Sequence, residues 1–172
     1  MNDEELVEQC RRGISSAQRV LYDRYSPMMF GVCLRYASSR DEAQDILQDA
    51  FVKVFTKLHT LSKVAALEDW IYHIVVFTAI SFLRHKRIRF DKLDDSDFQD
   101  PTIKYEPFAA SDLLAVIRQL PDNYRLVFNL REVEGYSFEE IAQQLNIEPA
   151  SARSVLFRAK KMLQEKLKDY GY

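Results

Sequence analysis

The sequence predicts an all-α protein made of two small helical domains joined by an acidic linker. Only four Gly and five Pro occur among 172 residues, which leaves little material for the many tight turns of a β-sandwich. Apolar residues recur at spacings of three and four, as they do on one face of a helix. A helix-start pattern, Ser followed three residues later by Glu, occurs at Ser39 and again at Ser137. We therefore expect helices in both domains.

The first predicted domain covers residues 1–89 and contains four helices. Ser15 or Ser16 should cap the second helix, and Pro27 inside it should bend it or split it in two. The third helix follows the Ser39 start pattern and carries one apolar stripe. The predicted helices cover about 3–12, 15–37, 40–58 and 66–89, and the stripe on the third consists of Ala43, Ile46, Leu47, Ala50, Phe51, Val54, Phe55 and Leu58.

The fourth predicted helix is apolar on almost every side, as expected of a helix inside a bundle, and Trp70 should belong to that core. The helix then turns basic at Arg84, Lys86 and Arg87. These cations suit the negative end of the helix dipole, and they equally suit a phosphate. The pattern alone leaves both interpretations open.

Residues 90–110 have no sustained hydrophobic period and contain Pro101 and Pro107. Acidic residues dominate this stretch, although the net charge of the whole chain is only −2. A polyanion would repel it and attract the basic segments on either side. We interpret residues 90–110 as a linker between two domains.

The second predicted domain, residues 111–172, ends in a helix-turn-helix. A short helix from Ser137 is followed by a three-residue turn and by a longer helix that starts near Pro149. Apolar residues of both helices should fix the crossing angle and leave a polar and basic face for the major groove of DNA. We expect that face to consist of Ser151, Arg153, Ser154, Phe157 and Arg158.

Other patterns exclude several classes of protein. Cys10 and Cys33 show no metal-ligand spacing, and the three His have no partner at the spacing of a zinc motif, so we expect no metal and no cofactor. Asp45 and Asp49 lack a His partner and a glycine-rich loop, which argues against an enzyme. The apolar run 70–83 is shorter than the roughly 20 residues of a membrane span, and the acidic N-terminus is unlike a signal peptide. We therefore expect no membrane span and a cytoplasmic protein.

Three segments resemble the signatures of one family. Residues 41–51, DEAQDILQDAF, are similar to the signature helix of domain 2 of sigma-70 family proteins, and residues 70–74, WIYHI, to the segment that follows it. Residues 120–160 are similar to domain 4 of that family. Two domains with only a short linker between them resemble the extracytoplasmic-function group.

The resemblance implies a sigma factor that binds RNA polymerase core, through its β′ and β subunits, and directs it to promoter DNA. It assigns polymerase docking on β′ to Asp45, Gln48 and Asp49. It assigns the −10 element to the first domain and the −35 element to the second. By family habit, an anti-sigma factor is a further expected partner.

The same resemblance suggests individual DNA contacts. The loop from about residue 59 to 66 would hold a base flipped from the non-template strand, with Leu61, Ser62 and Lys63 among its walls. Phe77, which stands where many relatives have Asn, either completes the bundle or stacks on a promoter base. The expected phosphate contacts are Arg84, Lys86, Arg87, Arg158 and Lys161.

One alternative of another class stays open from the residues alone. A helix-turn-helix regulator that never joins the polymerase would account for the second domain, and it would usually be a dimer on a palindromic site. It would leave the first domain without a function.

Overall fold

Helices form every regular element of the chain in the ranges that the structure describes. The computed structural model describes residues 2–86 and 110–171, with no side-chain detail for residues 110 and 111. No strand occurs in these ranges, and the all-α prediction is confirmed. The helices are α1 (Asp3–Arg11), α2 (Ser15–Tyr36), α3 (Arg40–Lys57), α4 (Leu67–His85), α5 (Ala110–Arg118), α6 (Asp122–Phe128), α7 (Phe138–Leu145) and α8 (Pro149–Lys168).

The chain divides into two compact units, Met1–Phe82 and Leu83–Tyr172. The predicted linker, residues 90–110, lies outside the described residues except for its last position, and so does Arg87. The domain boundaries at 89 and 111 therefore remain predictions.

The first unit packs α1 and α3 against α2. The apolar stripe predicted on α3 supplies much of this core, and all of its members are buried except Phe55, which is half-buried. The Phe51 ring meets Tyr22 of α2 edge-on, with 4.7 Å between ring centres, an arrangement that adds to the burial energy. Arg35 of α2 donates a hydrogen bond of 3.0 Å to the Tyr72 hydroxyl and so ties α4 to the bundle.

Three local expectations in this unit need correction. Ser15 is the first residue of α2, and the capping position is taken by Ile14, which makes no side-chain capping bond. Pro27 does not split α2, which is one helix of 22 residues. At the start of α3, Ser39 accepts from the Glu42 amide at 3.1 Å as predicted, but the Glu42 carboxylate accepts from the backbone and hydroxyl of Ser38.

Residues 64–85 are long and apolar enough to cross a membrane by length and composition alone. This differs from the expectation that the apolar run is too short. Ile71, Val75 and Ala79 of this helix are fully buried, and a helix that packs in a protein core passes the same test.

In the second unit, α8 packs against α5, α6 and α7. A buried arginine, Arg125, joins α5 and α6. The Arg125 side chain is 1% exposed and donates 2.6 Å to the carbonyl of Leu120, while it also pairs with the carboxylate of Asp122. The charge is thereby hydrogen-bonded as well as neutralised, as burial of a guanidinium requires.

A π-helical turn, Asn129–Val133, continues α6. Gly135 follows with φ +76°, a backbone conformation that side chains other than that of Gly rarely adopt. The Ser137 start pattern then forms the complete capping box predicted for it, with reciprocal bonds between Ser137 and Glu140 of 3.1 and 2.7 Å. The left-handed Asn146, at φ 53°, ends α7 and begins the turn into α8.

Candidate polymerase and nucleic-acid interfaces

The outer side of α3 forms an acidic face, defined here as Asp45, Gln48 and Asp49. All three side chains are exposed, because the buried stripe occupies the opposite side of the helix. Their spacing of three and four residues places them within about one helical turn. Val52, one turn further on, is 63% exposed and adds an apolar contact area next to them. A surface that combines carboxylates with an exposed valine suits a protein partner with basic and apolar groups.

The α3–α4 loop, residues 58–66, consists of two 3-10 turns, Leu58–Thr60 and Val64–Ala66, around an extended segment. Ser62 and Lys63 are exposed in that segment. Leu61 was expected beside them as a wall of a base pocket, but its side chain is only 6% exposed and anchors the loop in the core. The segment therefore presents the side chains of Ser62 and Lys63 at the surface, but not that of Leu61.

The exposed side of α4 carries an aromatic residue. Phe77 is 52% exposed, so it does not complete the bundle. Its ring centre lies 6.5 Å from that of His73, which is also exposed and one turn earlier on the helix. Trp70 is half-buried. Arg84 and Lys86 are exposed at the end of α4, beyond this aromatic pair.

The recognition surface of α8 is defined here as Arg153, Phe157, Arg158 and Lys161. The two arginines and Lys161 are exposed, and Phe157 and the predicted contact Ser151 are half-buried. Ser154 was expected on this surface, but it is 1% exposed, and its hydroxyl donates to the carbonyl of Ala150 at 2.9 Å. It lies on the packed side of α8 with its neighbours in sequence, Val155 and Leu156.

An aromatic contact that sequence reasoning missed orders this surface. The Phe138 ring, at the start of α7, has the guanidinium of Arg131 at 4.6 Å and that of Arg153 at 5.3 Å from its centre. Arg131 also donates 3.0 Å to the carbonyl of Tyr136. The sequence shows that Phe138 directly follows the Ser137 cap. It does not show that Arg131 and Arg153 contact the ring, because turns of unknown geometry separate both arginines from Phe138.

Neither thiol is poised for chemistry. Burial raises the pKa of Cys33 to about 12 and also raises that of Cys10, so both thiols are protonated near neutral pH. Among residues 2–86 and 110–171, no group of three or more His, Cys, Asp and Glu side chains is arranged to hold a metal ion.

Comparison with known proteins places both units in one family. The family described as Sigma-70 region 2 matches residues 21–88, and that described as Sigma-70, region 4 matches residues 110–163. The RNA polymerase sigma-H factor of Pseudomonas aeruginosa is 30% identical over 96% of this chain and 93% of its own length. The ECF RNA polymerase sigma-E factor of Haemophilus influenzae is 28% identical over 97% of this chain and 96% of its own.

A solved structure is also similar in fold. The sigma factor RpoE of Bartonella quintana, determined in complex with the anti-sigma factor NepR, superposes with a TM-score of 0.51 at 20% identity, over 87% of this chain and 96% of its own. At that identity the likeness concerns the fold.

Proposed function

This chain belongs to the sigma-70 family of RNA polymerase sigma factors, as an extracytoplasmic-function member that directs promoter-specific initiation, and we propose how its surfaces divide that work. The acidic face of α3 binds the β′ subunit of core polymerase. The α3–α4 loop and the exposed side of α4 act on the −10 element, and the recognition surface of α8 reads the −35 element. The observation that carries the proposal is the occurrence, in family order, of two matched segments that each expose a surface suited to its partner.

Docking by the acidic face is supported by its exposure and its composition. Neither Asp45 nor Asp49 forms an ion pair with another described residue. Both carboxylates are therefore available to a partner. Gln48 lies between them, and Val52 extends the patch with apolar area. Burial of that apolar area favours binding, and carboxylates that pair with basic groups of the partner add specificity and speed association.

Action on the −10 element is supported by Phe77 and by the loop. The exposed Phe77 ring offers a flat face on which an unstacked base can stack. Ser62 can both donate and accept a hydrogen bond, and Lys63 supplies a cation. Arg84, Lys86 and Arg87 are proposed to hold the phosphates that flank the melted bases, although Arg87 lies outside the described residues.

Recognition of the −35 element is supported by the helix-turn-helix geometry. The N-terminal half of α8, which carries Ser151 and Arg153, follows the turn and would enter the major groove. Arg153 can bond a guanine edge in bidentate fashion, and Phe157 can contact a thymine methyl group. Arg158 and Lys161 lie further along the helix, where phosphates would flank them.

We further propose that an anti-sigma factor binds this chain and that it works in the cytoplasm as a non-enzymatic initiation factor. The Bartonella quintana relative forms a complex of that kind. Core polymerase and promoter DNA are the other proposed partners, and no cofactor is required.

Run-off transcription with purified core polymerase and a library of promoter DNA tests the whole proposal. We expect specific transcripts that depend on this chain and that reveal one −35 and one −10 sequence. DNA binding without affinity for core polymerase would instead favour a helix-turn-helix regulator. Gel filtration would then show whether the chain is the dimer that such a regulator requires.

A further inference from the structure

A side chain of α1 reaches the backbone of the α3–α4 loop, about fifty residues away in sequence. Arg11, the last residue of α1, donates from Nη2 to the carbonyl of Leu61 at 2.8 Å and from Nε to the carbonyl of Leu58 at 3.3 Å. The carbonyl of Leu58 also accepts from the backbone amide of Leu61 at 3.2 Å. One guanidinium therefore spans the first 3-10 turn of the loop at the point where the extended segment begins.

The remaining anchors of the loop are apolar or local. The side chains of Leu58, Leu61 and Leu67 are buried, and the amide of Ala66 donates to the carbonyl of Lys63 at 3.0 Å in the second turn. The leucines fix where the loop enters and leaves the bundle. They do not fix the rotation of the peptide groups that point Ser62 and Lys63 outward, since an apolar anchor has no directional preference.

A guanidinium does have such a preference. Its donors form a rigid planar fork, so two carbonyls that bind the same fork are held at one mutual orientation. Hydrogen bonds from a charged donor are also stronger than those between neutral groups. The Arg11 fork therefore determines the direction of the peptide that follows Leu61, which is the peptide that carries Ser62.

We propose that Arg11 is a positioning residue for the α3–α4 loop, and that it sets how sharply the loop discriminates the base that it contacts in the −10 element. The inference rests on the proposed function, because it requires that the loop contact a promoter base. Arg11 acts through the two loop carbonyls and is not itself assigned a contact with DNA. Its removal should loosen the segment from Leu61 to Lys63 and leave the leucine anchors, and hence the fold, in place.

The neighbouring residue provides a matched control. Arg12 has the same side chain and follows Arg11 directly, but it donates to the carboxylate of Glu8 at 3.0 Å in an exposed ion pair. The structure gives it no bond to the loop. Arg12→Met therefore removes the same charge and the same atoms as Arg11→Met but leaves the contact between Arg11 and the loop in place.

The experiment is run-off transcription by holoenzyme on a promoter library randomised across the −10 element, with Arg11→Met, Arg11→Lys, Arg12→Met and the loop variant Ser62→Ala/Lys63→Ala. With Arg11→Met we expect the preference for one base over the others to fall by about threefold to tenfold at one −10 position. A change of that size corresponds to the loss of one or two net hydrogen bonds. That position should be the one that the loop variant alters. Arg11→Lys should restore part of the discrimination, and Arg12→Met should match the parent chain.

The outcomes separate the inference from the proposed function. A loop variant with altered preference beside an Arg11→Met variant with the parent preference would overturn the role of Arg11 and leave base contact by the loop standing. A loop variant with the parent preference would overturn base contact and the inference together. A uniform loss of transcripts on every promoter, with helix content retained in circular dichroism, would also count against positioning.

A second measurement does not depend on transcription. Hydrogen exchange of the loop amides should be faster in Arg11→Met than in Arg12→Met, and exchange within α3 should be equal in both variants. Equal exchange in the loop would overturn the inference.

Discussion

The guanidinium of Arg153 lies 5.3 Å from the centre of the Phe138 ring, across the turn that joins α7 to α8. The other arginine at this ring, Arg131, is fixed by its bond to the carbonyl of Tyr136. Phe138 is thus held at the start of α7 and in turn restricts the Arg153 side chain. A long side chain that is ordered before it binds loses less entropy on binding. The contact therefore prepares Arg153 for the base edge that we propose it reads.

Phe138→Leu tests that relationship. It should weaken binding to a −35 duplex by about threefold, because a long side chain that must be immobilised on binding costs about 0.5–1.5 kcal/mol. Fluorescence anisotropy of a labelled duplex measures the affinity. In an Arg153→Ala background the same substitution should have no further effect. An equal loss in both backgrounds would show that Phe138 acts independently of Arg153.

Asp49→Lys should abolish binding to core polymerase while helix content stays unchanged. Reversal of one charge in a desolvated pair costs about 2–5 kcal/mol or more, and Asp49 is exposed, so the fold does not need it. Titration of labelled protein with core polymerase measures the affinity. Asp23→Lys is the control, since Asp23 is an exposed acid on α2 whose ion pair with Arg19, at 3.7 Å, is a weak surface pair. Retained core affinity in Asp49→Lys would remove the docking proposal.

The fold class was predictable from the sequence because helical periodicity and start patterns are local properties. The Ser137 capping box and the apolar stripe of α3 formed as predicted for that reason. Pro27 does not split α2 because the helix packs against α1 and α3, which outweighs the cost of one missing hydrogen bond. Leu61 and Ser154 were misplaced because small differences in helix or loop rotation decide whether a side chain points inward.

The loop clamp of Arg11 and the ring contact of Phe138 were beyond prediction for a different reason. Both join residues across elements whose mutual orientation is set only by the packed structure. The acidic face of α3, in contrast, follows from the helical period alone, and its three residues are exposed as the period requires.

Phe77→Ala should leave thermal stability nearly unchanged and reduce open-complex formation. The ring is 52% exposed, so its loss should cost about 0.5 kcal/mol or less of unfolding free energy. Loss of a base stack should reduce the open-complex equilibrium by roughly tenfold, from about 1–3 kcal/mol per base. Permanganate reactivity of unpaired thymines measures opening, and a thermal melt measures stability. Equal losses in both would indicate a packing role and contradict stacking.

Arg125→Met should destabilise the second unit by about 2 kcal/mol, because it leaves the buried carbonyl of Leu120 without its donor, while the partly exposed Asp122 keeps its ion pair with Lys86 at 3.5 Å. Urea unfolding of the full chain, followed by a probe in the second unit, measures the change. Arg158→Met is the control and should lie within about 0.5 kcal/mol of the parent, since that side chain is exposed. Similar stability in the two variants would show that the buried Arg125 side chain adds little to the unfolding free energy of the second unit.

Lys161→Met should weaken binding to the −35 duplex without changing its sequence preference. A lysine that neutralises one phosphate releases about one counterion, so the slope of log affinity against log salt concentration should fall by about 1. Affinities measured over a salt series on matched and mismatched duplexes separate the two quantities. Lys168→Met removes another exposed cation, nearer the end of α8, and should leave the slope unchanged. If Lys161→Met altered the preference and not the slope, Lys161 would read a base, which would contradict the phosphate contact that we propose for it.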